Sequence, residues 1–110
     1  MSSQKIVEIY RDRFGKEPYT VWIKSLKDST TKARIEQRIR RIENGNFGVH
    51  KSVGEGVWEL VLDFGPGYRV YYAEENDQIV ILLCAGSKKG QQRDIDQAQS
   101  YWKDYKGGLS

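Results

Sequence analysis

One cysteine, one histidine, one methionine and two prolines stand among 110 residues, and the scarcities are informative. A lone Cys84 cannot close an internal disulfide, so no disulfide framework staples this chain. Cys84 and His50, with no clustered partners, do not make a zinc site, and neither a metal nor a cofactor is expected. The opening Met-Ser-Ser-Gln-Lys lacks the apolar stretch of a secretory signal. No apolar run approaches the roughly 20 residues of a membrane-spanning helix. A cytoplasmic protein with no membrane partner is the expectation. Charge of one sign is not in large excess: 18 Lys and Arg against 15 Asp and Glu give a formal +3. A polyanionic partner is permitted by this balance and not required. No repeat or linker interrupts the chain, so residues 1–110 read as a single domain.

What is present is patterned. Gly56 to Tyr72 reads as two alternating strands joined at Gly65-Pro66-Gly67. Trp58, Leu60, Leu62 and Phe64 share a face with Tyr68, Val70 and Tyr72, which predicts a core face with Trp58 largely buried. Glu59, Val61, Asp63, Arg69 and Tyr71 fall on the other face, predicted to point outward. Ile6 to Tyr10 is a short β-favouring run. Pro18 opens a helix with Trp22, Ile23 and Leu26 on one stripe, ending near Asp28. Asp28, Ser29, Thr30 and Thr31 supply N-cap oxygens for a second helix, where Ile35, Ile39 and Ile42 repeat before Asn44-Gly45 stops it. After a turn at Asn76-Asp77, the run Gln78 to Cys84 suits a central strand covered on both faces. From Gln91 a last helix sets Ile95, Ala98, Trp102 and Tyr105 on one stripe, with Arg93, Asp94, Asp96 and Lys103 elsewhere, and a frayed tail at 106–110. The order β-α-α-β-β-β-α predicts an α+β fold: an N-terminal helical hairpin on one side of a mainly antiparallel sheet, followed by a C-terminal helix.

Three clusters could carry chemistry. The second helix carries Lys32, Arg34, Arg38, Arg40 and Arg41 against Glu36 and Glu43, either a solvated helix face or a phosphate-contacting surface. Arg69 and Tyr71 lie near Glu59 and Asp63, either a cross-strand ion pair or a site. Lys88 and Lys89 occupy the loop leaving the central strand, a common seat for function. Arginine, lysines and carboxylates without a metal suit RNA cleavage by the neighbouring 2′-hydroxyl. Cations there stabilise the pentavalent phosphorane while other groups transfer protons. DNA lacks that hydroxyl.

Gly56-Val-Trp-Glu-Leu, Phe64-Gly-Pro-Gly-Tyr-Arg-Val-Tyr-Tyr72, Leu83-Cys-Ala-Gly-Ser-Lys88 and the run Gln91 to Ala98 with Tyr101-Trp102 resemble the RelE/ParE superfamily, and within it the HigB-like addiction module killer toxins. The likeness runs from about Ile6 to Tyr105. It implies a toxin held in check by a cognate antitoxin. It also implies either ribosome-dependent cleavage of mRNA or, in the ParE manner, inhibition of DNA gyrase through a protein surface; a degenerate homologue that only binds antitoxin is a third possibility. Carried over by motif, Arg69 is the phosphate-contacting arginine, and Lys88, with Lys89, is the basic loop. From the residue pattern, Glu59 is a weaker candidate base. Arg34, Arg38, Arg41, Lys51, Tyr71 and Arg93 are the expected RNA contacts. Relatives carry a basic residue directly after Trp-Glu-Leu, where this chain has Val61. Ile95 stands near where some of the nucleases place a catalytic tyrosine. With Arg69 on an outward face, Arg69→Ala is expected to leave folding nearly intact.

Overall fold

The computed structural model describes residues 4–107. The elements run β1 (Ile6–Ile9), α1 (Pro18–Ser25), α2 (Ser29–Ile42), β2 (His50–Gly54), β3 (Val57–Leu62), β4 (Tyr68–Glu75), β5 (Ile79–Ser87) and α3 (Gln91–Gly107), with one 3₁₀ turn at Lys88–Gly90. The strands form one sheet in the order β1-β5-β4-β3-β2. β1 runs parallel to β5, and the other three pairings are antiparallel.

Local chemistry accounts for most boundaries. Pro18 opens α1, where its missing N–H costs nothing. Asp28 caps α2: its carboxylate accepts from the Thr30 N–H at 3.1 Å and from the Thr31 hydroxyl at 2.8 Å. Ile35 and Ile42 of α2 are fully buried, with Ile39 packed beside them. Asn76 and Asp77 both have positive φ, 56° and 55°, at the centre of the tight turn that the Gln78 N–H closes on the Glu75 carbonyl.

The sheet is covered on both faces, which corrects the one-sided arrangement expected from the element order. Leu60, Leu62, Val70 and Tyr72 pack with Tyr19, Ile23, Ile35 and Ile42 under α1 and α2. Val57, Tyr71, Ala73, Ile81 and Leu83 pack with Ala98 and Trp102 under α3. The reason lies in β5, whose residues Val80 to Gly86 are all buried. A strand apolar on both sides needs a layer on each.

Other expectations change too. β1 precedes the helices as expected, but α1 and α2 do not pair as a helical hairpin: α1 seats chiefly against β5. α1 stops at Ser25 and not at Asp28. β2 went unseen because His50–Gly54 has no alternating apolar signal, as befits an exposed edge strand. β5 continues through Gly86 and Ser87, which read as loop. Asp94 is buried although it seemed to lie off the apolar stripe of α3. Lys106 and Gly107 belong to α3, and the rest of the expected frayed tail lies outside the described residues. No helix among the described residues is long and apolar enough to cross a membrane.

Trp102 is buried as expected, but Trp58 is 36% exposed. The alternation holds at Leu60 and Leu62. Trp58 shares their face but stays outside the core cluster under α1 and α2; it pairs with Ser52 of the edge strand, and its ring rests 5.5 Å from that of His50. The energetic weight of β3 therefore sits at its centre. Leu60→Ala should cost about 2–5 kcal/mol. Trp58→Ala should cost clearly less than Leu60→Ala, as measured by denaturant unfolding of both variants.

Candidate functional site

The site grows from the turn between β3 and β4. Gly65 and Gly67 take positive φ of 56° and 84°, closing the turn sharply enough for β4 to return along β3. The Gly67 carbonyl accepts the Lys88 N–H at 2.9 Å, which ties this turn to the segment leaving β5. A Cβ placed on Gly67 would stand 3.3 Å from the Lys88 Cβ and 3.9 Å from Arg69 Nη1. Glycine therefore leaves the space into which Lys88 and Arg69 both approach. Two residues nineteen positions apart in the chain meet here because Arg69 and Gly86 are register partners on β4 and β5.

Arg69 does not face open solvent. It is 6% exposed, and Glu59 beside it is 0% exposed, because α3 covers this face. Arg69 Nε lies 3.7 Å from Glu59 Oε1, and Lys51 Nζ approaches the same oxygen to 3.6 Å from the edge strand. Arg69 Nη1 donates to the Tyr68 carbonyl at 2.9 Å and lies 3.5 Å from the exposed Asp63 carboxylate. Glu59 Oε2 accepts from the Gln91 side-chain amide at 2.7 Å. Three buried polar atoms here take no hydrogen bond among the described residues: Glu59 Oε1, Arg69 Nε and the Tyr71 hydroxyl. Burial, then the charges of Glu59 and Asp94, hold the Tyr71 phenol well above its ordinary range. Tyr71 was expected to contact RNA. In the structure it is fully buried under α3.

A cleft of about 730 Å³ opens beside this cluster, lined by Trp22, Gly86, Lys89, Arg93 and Asp94 among others. Gly86 leaves room for the Asp94 carboxylate, which any Cβ there would strike. Burial raises the pKa of that carboxyl, with Arg93 opposing. Lys89 and Arg93 are exposed on the rim. Lys51, also exposed, sits on the opposite flank of Glu59. Arg69, Glu59 and Lys51 thus meet on the α3 face of the sheet, Lys88 adjoins them at Gly67, and Lys89 and Arg93 border the cleft.

The arginines of α2 do not join them. Arg38 is spent on structure, donating to the carbonyls of Val61, Phe47 and Val49 at 2.8, 3.0 and 3.2 Å. Arg34 stacks over the Phe64 ring at 4.0 Å. Arg41 lines a separate cavity of about 320 Å³ with Arg34, Arg38 and Asp63. These residues lie toward the other face of the sheet. The two basic regions come nearest at Asp63, which borders the α2 cavity and pairs with Arg69. Gln91 and Asp94 are site neighbours that were not among the expected site residues. Their only sequence signal is position, in the first turn of a helix that directly follows a basic loop.

Comparison with known proteins bears on these residues. Residues 21–103 match the family described as phage-derived protein Gp49-like. The chain belongs to this Gp49-like family. An uncharacterized protein of Haemophilus influenzae is 50% identical over 78 residues, covering 71% of this chain and 79% of the relative. The Gp49-like family is associated with the toxins of toxin–antitoxin systems, in agreement with a toxin role at that coarse level. The matched span takes in the whole Arg69 cluster, from Lys51 to Asp94.

For this Gp49-like chain the burial of Arg69 overturns one expectation. Truncating Arg69 leaves the Glu59 carboxylate buried with Lys51 as its nearest cation, and breaking such a pair typically costs on the order of 3–5 kcal/mol. Arg69→Ala should therefore lower thermal stability substantially. Arg69→Lys, which keeps the charge, should melt much closer to the parent chain. Equal melting temperatures for Arg69→Ala and the parent would remove the ion pair from the structural account.

Proposed function

We propose that this protein is the toxin of a type II toxin–antitoxin system, a RelE/ParE superfamily member of HigB-like type that cleaves mRNA on the ribosome. The observation that carries the proposal is the meeting of Arg69 and Lys88 across Gly67, beside a cleft rimmed by Lys89 and Arg93. The Gp49-like membership supports the toxin role.

The chemistry follows from the cations. The ribose 2′-oxygen attacks the adjacent phosphorus, the 2′-O–P bond forms and the bond to the 5′-oxygen breaks, leaving a 2′,3′-cyclic phosphate and a 5′-hydroxyl. The 2′-hydroxyl gives its proton to a water molecule in the cleft, and a proton reaches the departing 5′-oxygen. Negative charge builds on the non-bridging oxygens between these events. Arg69 is the group to meet it, because a guanidinium can grip two phosphate oxygens at once. Its Nη2 takes no hydrogen bond among the described residues. Lys88 and Lys89 add positive charge or carry the proton to the leaving oxygen. Lys51 and Arg93 extend the positive surface for the RNA backbone, and Arg34 and Arg41 serve as a second basic surface. The cognate antitoxin covers this charge in the inactive complex.

Because Arg69→Ala perturbs folding, the test uses Arg69→Lys. Induction of the parent chain should stop growth and produce in-frame cuts in translated messages, mapped by their new 5′ ends. Arg69→Lys should reduce cutting by on the order of a hundredfold, the usual cost of losing one preorganised donor, with Lys88→Ala weaker in effect. Intact messages with double-strand DNA breaks would replace the nuclease reading by gyrase inhibition. Antitoxin association should also slow as ionic strength rises. A rate unchanged between low and high salt would count against a charge-driven interface.

A further inference from the structure

From the contacts around Glu59 we infer that Gln91 is a positioning residue: its amide anchors the buried Glu59 carboxylate, and Glu59 in turn sets the orientation of the Arg69 guanidinium. The role presupposes Arg69 as the phosphate-binding group of the proposed nuclease. Among the described residues the well-formed hydrogen bond to Glu59 is the one from Gln91 at 2.7 Å, with the Tyr71 hydroxyl its other polar neighbour. Its two cations stand at 3.6 and 3.7 Å, close enough for attraction and too far to fix its direction. A carboxylate with no exposed surface is badly placed to take a proton from a substrate hydroxyl, which removes the base role first considered for it. What it can do is hold Arg69 Nε on its own side. The Tyr68 carbonyl holds Nη1 on the other. The Tyr68 hydrogen bond fixes Nη1, and the attraction of Glu59 draws Nε toward its own side, beside Gly67 and Lys88.

Gln91 suits this task by its charge and by its place. A neutral donor satisfies Glu59 Oε2 without competing with Arg69 for the carboxylate charge, as a lysine would, and without repelling it, as a glutamate would. As the first residue of α3, directly after the Lys88–Gly90 turn, it links the seating of that helix to the direction of the arginine.

The test combines a spectroscopic readout with single-turnover cleavage on programmed ribosomes. In the ¹⁵N-labelled parent chain the Arg69 Nε–H should give a distinct correlation, assigned by its loss in Arg69→Lys. In Gln91→Leu that correlation should shift or broaden, while melting changes little. The cleavage rate should fall about tenfold with the KM for ribosomes unchanged. Glu59→Gln, isosteric and uncharged, serves as a second variant should Gln91→Leu fold poorly. Combining the two should lower the rate no further than the worse single change, since both act through one arginine. An Arg69 Nε–H correlation unmoved in a folded Gln91→Leu protein would overturn the positioning role. So would fully additive rate losses. If the parent chain cuts no RNA, the nuclease reading falls by itself, and the Arg69 correlation still decides whether Gln91 orients the arginine.

Discussion

Covering both faces of β5 is the constraint from which the rest of the architecture follows, because a strand buried from Val80 to Gly86 cannot leave either side in water. α1 and α2 supply one cover and α3 the other, so the sheet becomes the middle of three layers. β4 lies next to β5 and inherits the same condition. Its alternate residues, Val70 and Tyr72 on one side and Arg69 and Tyr71 on the other, are all enclosed. An arginine on that strand must therefore bring its counter-charge inside with it.

That requirement explains the company Arg69 keeps. A buried guanidinium without a carboxylate would be too costly to desolvate, and Glu59 answers it from β3. The pair then needs its remaining groups met from whatever element lies above, which is the start of α3 through Gln91. Polar atoms that take no hydrogen bond in the same spot make the cluster expensive for a purely structural device. Such an arrangement is consistent with an arginine held ready for charge that arrives with a substrate. Under the proposed function Arg69 has a double part, in stability and in chemistry, and the two separate only in variants that preserve the charge.

Much of the fold was legible along the chain because it rests on local rules. The capped start of α2 at Asp28, the turn at Asn76-Asp77 and the alternation of Leu60, Leu62, Val70 and Tyr72 all use signals within a few residues of one another. The edge strand β2 was not legible, since a strand exposed on one flank has no apolar rhythm to betray it. The depth of Trp58 was not legible either. Alternation assigns a side chain to a face and says nothing about whether a helix reaches that far along the strand.

For the candidate site, the residue types and their grouping near the Gly65–Gly67 turn and the loop after β5 could be read directly. The sequence by itself determined that Arg69 and Glu59 share a face, that Gly67 ends a tight turn and that two lysines follow the central strand. Each of these is a consequence of periodicity or of backbone conformation. Only the tertiary structure decided that this face is an interior one, that Arg38 belongs to the backbone of β3 and its neighbours, and that Gln91 and Asp94 border the cluster. Those facts depend on where α3 lies across the sheet. Its position is set by the summed packing of Ala98, Trp102 and their partners on other elements, which no short stretch of sequence contains.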